Sequence, residues 1–139
     1  LKRLKLEDRI RELLPVETSL PAPGQGALGI EVRADRKDLQ ELLAFINDED
    51  IRCATGAERA VSRALGGSCQ VPLAAHGIVE NGELWLRAHV GDHRDGRKIS
   101  AEARGKAADF EAVAEQVVAD LKAQGAEALL AEVLAQTSK

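Results

Sequence analysis

Asn81-Gly82 is the pair that most restricts what this chain can become. Both residues tolerate the positive φ that a tight type I′ turn demands, and the segments on either side alternate apolar and polar, so the pair reads as a hairpin between two antiparallel strands. The first spans 71–80 and the second 83–90. In the second, Leu84, Leu86, Ala88 and Val90 share one face, and Trp85, Arg87 and His89 share the other. A polar turn over 92–96 leads into a third segment, 98–104. The expected unit is a three-stranded antiparallel meander with one face in need of cover. Cover follows at once: Phe110, Val113, Val117, Val118 and Leu121 line one side of a helix over 108–123. Gly125 suits its C-terminal cap, and Leu129, Leu130, Val133 and Leu134 mark a last helix over 127–134.

Upstream the period is helical. Leu4, Leu6, Ile10, Leu13 and Leu14 predict an amphipathic helix over 4–14 that stops before Pro15. Residues 19–26, rich in Pro and Gly, form a crossover between elements. Gly24, Gly26 and Gly29 spell G-x-G-x-x-G, the dinucleotide fingerprint, but that motif needs a strand before it and a helix after it. Here prolines precede it and the strand-like segment 27–33 follows, so a nucleotide site is rejected. Asp35 is the predicted cap of a helix reaching Ile46, and Asp48 of a second reaching Leu65. The inner stripe of that second helix is read as Ile51, Ala54, Ala57, Val61, Ala64 and Leu65. Gly56 inside it costs about 1 kcal/mol relative to alanine, a sign either of close packing at that spot or of a helix boundary wrongly placed. Cys53, among small residues, is assigned to packing.

Composition removes several classes of function. The 139 residues suffice for one domain with its own core. A net charge of −4 with interspersed signs, and Phe45, Phe110 and Trp85 as the aromatics, argue against nucleic acid and against an anionic membrane surface. No stretch has the length of a membrane span and no signal peptide is visible. Two cysteines make no disulfide framework, which suits reduced thiols in the cytoplasm. The chain opens at Leu1, without methionine and inside a patterned segment, so more protein is expected ahead of it.

The residues that invite chemistry lie at Leu65-Gly66-Gly67-Ser68-Cys69-Gln70-Val71-Pro72. Gly66 and Gly67 free the backbone before the cysteine and Pro72 bars continuation of the helix, so Cys69 is set on a loop between the helical and the alternating halves. Two readings stay open on these residues alone, a small buried hydrophobe and a presented thiol. His89 and His93 do not complete a metal site with Cys69, because no further Cys or His has the spacing, so no metal is expected. Arg3 reads by itself as a solvated charge.

Three collinear stretches carry a resemblance: Leu1-Lys2-Arg3-Leu4; Leu20-Pro21-Ala22-Pro23-Gly24-Gln25-Gly26-Ala27-Leu28-Gly29-Ile30-Glu31; and Ala57-Glu58-Arg59-Ala60 followed by the Cys69 loop. On these the chain resembles the C-terminal part of the porphobilinogen deaminases, or hydroxymethylbilane synthases, along its whole length. The resemblance implies a transferase that polymerises porphobilinogen, with loss of ammonia, into hydroxymethylbilane for tetrapyrrole and porphyrin biosynthesis. It also implies a covalently attached dipyrromethane cofactor, held as a thioether on Cys69. A thiolate is well suited to capture the electrophilic azafulvene that an activated pyrrole becomes. Family members commonly carry Gly immediately before this cysteine, where this chain has Ser68, a difference that bears on the loop backbone.

By the same resemblance Arg3 binds carboxylates of the cofactor and of the growing polypyrrole, each pyrrole bringing an acetate and a propionate for a guanidinium to pair. Gln25 and Gly26 border the cleft. The catalytic aspartate and most of the arginines fall in an N-terminal part not contained in this chain, so no catalytic residue is assigned here and the chain by itself is expected to be inactive. The implied fold class is α+β, a three-stranded antiparallel sheet covered by helices, preceded by remnants of two α/β domains. Residues 1–20 would end the second α/β domain, 21–46 would cross back to the first, and 47–139 would form the C-terminal domain with the attachment cysteine. The apolar faces of the first 46 residues would then lack native partners and be poorly ordered or packed against another copy. A reading from a different class is a small α+β binding or assembly module in which Cys69 is incidental.

Overall fold

The hairpin forms where the Asn-Gly pair puts it. In the computed structural model, which describes residues 1–66, 71–92 and 94–137, Asn81 and Gly82 take φ of 53° and 76°. They join β1 (Leu73–Glu80) to β2 (Glu83–Gly91), with Glu80 opposite Glu83 and Ile78 opposite Trp85. β3 (Lys98–Lys106) pairs antiparallel with β2, giving the order β1-β2-β3. The alternation read from the sequence sorts the faces correctly, since Leu84, Leu86, Ala88 and Val90 are all fully buried on one side.

Three helices cover that side, making the unit α+β. After a short helix α1 (Lys37–Leu43), α2 (Glu49–Ala64) packs over β1, and α3 (Phe110–Ala123) packs over β3 and β2. α4 (Ala126–Thr137) closes the end through Leu129, Leu130 and Val133. Each large aliphatic in this core, such as Leu84, Leu121 or Val61, contributes roughly 1.5–3 kcal/mol by leaving water. Asp48 caps α2 as expected, its Oδ1 accepting the Ile51 N–H at 3.0 Å. Of the two readings of Gly56, close packing is the one that holds: a Cβ there would lie 2.8 Å from Cε2 of Phe110. Gly125, at φ 93°, turns the chain from α3 into α4, and its N–H bonds the Lys122 carbonyl at 2.9 Å.

Several expectations fail, most of them in the first 46 residues. The helix over 4–14 is replaced by two single 3-10 turns, Lys2–Leu4 and Glu7–Arg9, with Lys5 between them at φ 54°. An isolated helix of that length is marginal in water, and here Leu4 and Leu13 are 71% and 75% exposed, so no packing compensates. Segment 27–33 joins no sheet, and Leu28 is 98% exposed. Asp35 caps nothing because its carboxylate pairs with Arg33, and α1 starts after Arg36 with no side-chain cap. In α2 the buried stripe is rotated from the one read in the sequence: Ile51 and Ala64 are exposed, while Cys53 and Glu58 are buried. On the outer face of the sheet Arg87 is buried and His89 half-buried rather than solvent-facing. His93 lies outside the described residues.

Candidate functional site

The crossover folds into a tight turn that consumes most of its own polar groups. Its glycines adopt conformations other residues rarely hold, φ 73° at Gly24 and 86° at Gly26. The Gln25 N–H bonds the Ala22 carbonyl at 3.0 Å and the Ala27 N–H bonds the Gly24 carbonyl at 3.2 Å. The Gln25 side chain turns back, with its Oε1 accepting the Ala22 N–H at 3.0 Å. That leaves the amide NH₂ of Gln25 as its outward donor, and nothing lies within 4 Å of a Cβ built on Gly24 or Gly26.

Glu58 fastens this turn to the sheet. Its carboxylate, 5% exposed, accepts the Gly24 N–H at Oε2 over 2.6 Å and the Gly77 N–H at Oε1 over 2.8 Å. One buried anion thus joins three elements: α2, the edge strand β1 and the crossover. Two charge-assisted bonds offset the cost of burying it, and losing either would leave a buried group without its partner. His76 Nδ1 stands 3.7 Å from Oε1, and the Ala75 N–H bonds the Pro21 carbonyl at 3.1 Å, a second tie in the same place. A glutamate in an amphipathic helix reads as solvent-facing by default, which is why this role escaped the sequence reading. Its spacing from Ala54, Ala57 and Val61 was the available signal, since positions 54, 57, 58 and 61 share one helix face.

Cys69 lies outside the described residues, as do Gly67, Ser68 and Gln70. The chain on either side of this stretch is anchored. Leu65 is buried at the end of α2, Val71 is buried ahead of β1, and the Pro72 carbonyl accepts the Gly91 N–H at 3.1 Å. α2 therefore carries Glu58 on its face and leads at its C-terminus into the stretch that holds Cys69. Cys53 is buried in the core, and burial pushes its thiol pKa up, as suits a packing residue. Arg3 sits in the first 3-10 turn, exposed, and makes no hydrogen bond or ion pair with the crossover. It lines an open depression with Lys2, Arg9, Arg11 and Glu12. Among the described residues no group of three His, Cys, Asp or Glu is placed to hold a metal ion, and no helix is long and apolar enough to cross a membrane.

Two family models match the chain, in order. One, described as the dipyromethane cofactor binding domain of porphobilinogen deaminase, covers residues 1–41; the other, its C-terminal domain, covers residues 52–123. The chain belongs to the porphobilinogen deaminase family. It is 51% identical over 138 residues to a porphobilinogen deaminase of Burkholderia vietnamiensis, an alignment covering 97% of this chain and 41% of that protein. It is 50% identical over 134 residues to the porphobilinogen deaminase of Bordetella parapertussis, covering 96% of this chain and 43% of the relative. The chain thus spans about two fifths of the length of the curated relatives it matches.

The donor chemistry suits the dipyromethane cofactor for which the first of these family models is named. Lys2, Arg3, Arg9 and Arg11 gather with Glu12 as the acid in their depression, and none of the four bases has an ion-pair partner among the described residues. Unpaired cations at that density fit a ligand with several carboxylates. Open space above Gly24 and Gly26 lets a planar group approach the crossover backbone. The structure ties the crossover to α2 and β1 through Glu58, whereas Arg3 is not joined to either by a polar contact.

Proposed function

We propose that this chain is the C-terminal portion of a transferase that polymerises porphobilinogen, releasing ammonia at each addition, into hydroxymethylbilane, and that Cys69 holds dipyrromethane as a thioether. The observation that carries the reading is the order of the two family matches along a chain whose α2 leads directly into the Cys69 stretch. Residues 1–20 close the second α/β domain of such an enzyme, 21–46 cross back to the first, and 47–139 form the domain bearing the cysteine. The remainder of the enzyme, supplying the catalytic aspartate and most arginines, is the principal partner, and porphobilinogen and the growing polypyrrole are the ligands. The bound dipyrromethane supplies the terminus on which the pyrrole chain grows.

Each residue of this chain has a task suited to its chemistry. The Cys69 sulfur provides a C–S bond that survives repeated turnover. Arg3 pairs with carboxylates, and its charge persists at every working pH. Gln25 donates from the NH₂ left free by its own turn, and Gly26 lets the backbone come close. Glu58 positions that turn against the helix leading to the thiol. Nothing in the chain replaces the catalytic aspartate, so the 139 residues alone are inactive. An ammonia-release assay tests this: the longer protein consumes porphobilinogen and this chain does not, while turnover by the chain unaided would contradict the assignment. Mixing the chain with the remaining part restores turnover if the two associate.

A further inference from the structure

The outer face of the sheet carries a cation that the protein does not satisfy. Arg87 is 8% exposed, its guanidinium lies 4.0 Å from the centroid of the Trp85 ring, and Arg104 stands 4.4 Å from the same ring. Its one polar contact among the described residues is long, from Nη1 to Glu17 Oε1 at 3.4 Å, and the Glu17 side chain remains 67% exposed. Nε and Nη2 of Arg87 are buried with no hydrogen-bond partner among the described residues, and so is Nδ1 of His89, two positions along the same face of β2. Neither Glu102 nor Glu58 pairs with Arg87. Glu102, opposite Arg87 on β3, accepts from Trp85 Nε1 at 3.2 Å, and Glu58 holds the backbone of Gly24 and Gly77.

We propose that this face is a carboxylate seat in which Arg87 presents its Nε and Nη2 edge to the two oxygens of one carboxylate and His89 lies beside them. That edge is the side of a guanidinium that matches a carboxylate bidentately, and buried donors are seldom left without an acceptor. The Trp85 ring holds the guanidinium flat by cation–π attraction and leaves its edge as the place for a partner. Burial, together with the nearby charges of Lys98 and Arg87, pushes the His89 pKa below the ordinary imidazole value, so His89 is neutral near pH 7 and can present an N–H at Nδ1. One cation then faces one anion. The Glu17 carboxylate, attached by a single long bond, is the group that a better-placed carboxylate displaces.

The carboxylate has two available sources, an acidic side chain elsewhere in the longer protein or a small free carboxylate. The test is the Arg87 Nε–Hε resonance in ¹H–¹⁵N spectra of the chain, titrated with sodium acetate against sodium chloride at matched ionic strength. Acetate should move it downfield saturably and chloride should not. Arg87→Lys, which removes that resonance, should also abolish the acetate-induced shift of the neighbouring Trp85 Nε1–H, and Glu17→Gln, which keeps the guanidinium and removes its competitor, should tighten acetate binding several-fold. In the longer protein, a resonance already downfield and indifferent to acetate assigns the seat to the protein's own acid, whereas one that responds assigns it to a free ligand. A resonance at the position of a solvated arginine and unmoved by acetate in both proteins, or moved equally by chloride, overturns the proposal.

Discussion

Leu86 and Leu28 are the same side chain in two halves of one chain, and they meet opposite fates. Leu86 is fully enclosed between β2 and the helices above it, while Leu28 is 98% exposed. The difference runs through the molecule. From α2 onward the large apolar residues among those described, Ile51 excepted, find partners within the chain, whereas Leu1, Leu4, Leu13, Leu14, Leu28, Leu42 and Phe45, all before α2, stay largely in solvent. Local pattern proposes an element, and a partner surface decides whether it forms. The crossover lies between the two cases, since it has no core of its own but is tied to the sheet by Glu58 and by Pro21.

Substitutions can break this contrast if it is wrong. Leu86→Ala should cost about 2–5 kcal/mol in denaturant unfolding, as for a large-to-small change in a packed core. Leu28→Ala should change stability by no more than about 0.5 kcal/mol. Equal effects would show that the two halves are packed alike. Glu58→Gln comes next, at about 1–3 kcal/mol, because an amide cannot accept both backbone N–H bonds as the carboxylate does. Its specific sign is faster hydrogen exchange at Gly24 with the β2 amides still protected; uniform loss of protection would mean that Glu58 holds the sheet and not the turn.

Gly56→Ala should destabilise by about 1 kcal/mol even though alanine favours helix, since the added methyl meets the Phe110 ring. Phe110→Leu in the same chain should recover part of that loss, and additive effects would show that the ring is not the obstacle. The smallest effects are those of pH. Arg94 holds the Asp92 carboxyl well below the usual carboxylate range, so the stability this brings is complete above about pH 4 and is lost as the pH falls further. His89 is also depressed, chiefly by burial, so the folded state resists its protonation and stability declines below about pH 6.5. His89→Gln should flatten the curve between these two values and leave the lower limb unchanged.

Much of the packed half was legible because its signals are local. Asn81-Gly82 fixed the register of the hairpin, Asp48 the start of α2, and Gly56 betrayed its neighbour through the conformational cost of placing glycine in a helix. Within the first 46 residues the helix over 4–14, the strand over 27–33 and the Asp35 cap were misread for the complementary reason. The leucine spacing over 4–14 is a helical face, but a face becomes a helix only against a surface, and the described residues offer it none. Asp35 had a competitor two residues away in Arg33. Glu58 and Arg87 were missed because charged residues are expected outside; each makes a tertiary contact with residues 17–24, which no local pattern announces. Cys69 was singled out through its glycines and its resemblance; it lies outside the described residues, and the proposed function turns on it.

The most direct test is therefore the intact mass of the full-length protein carrying this chain, purified with and without Cys69→Ser. The account predicts an added dipyrrole on the unaltered protein, resistant to denaturation, reactive with an Ehrlich-type aldehyde reagent and lost in the serine variant together with turnover. An unaltered protein with no such adduct, or a serine variant that keeps both adduct and activity, would contradict it.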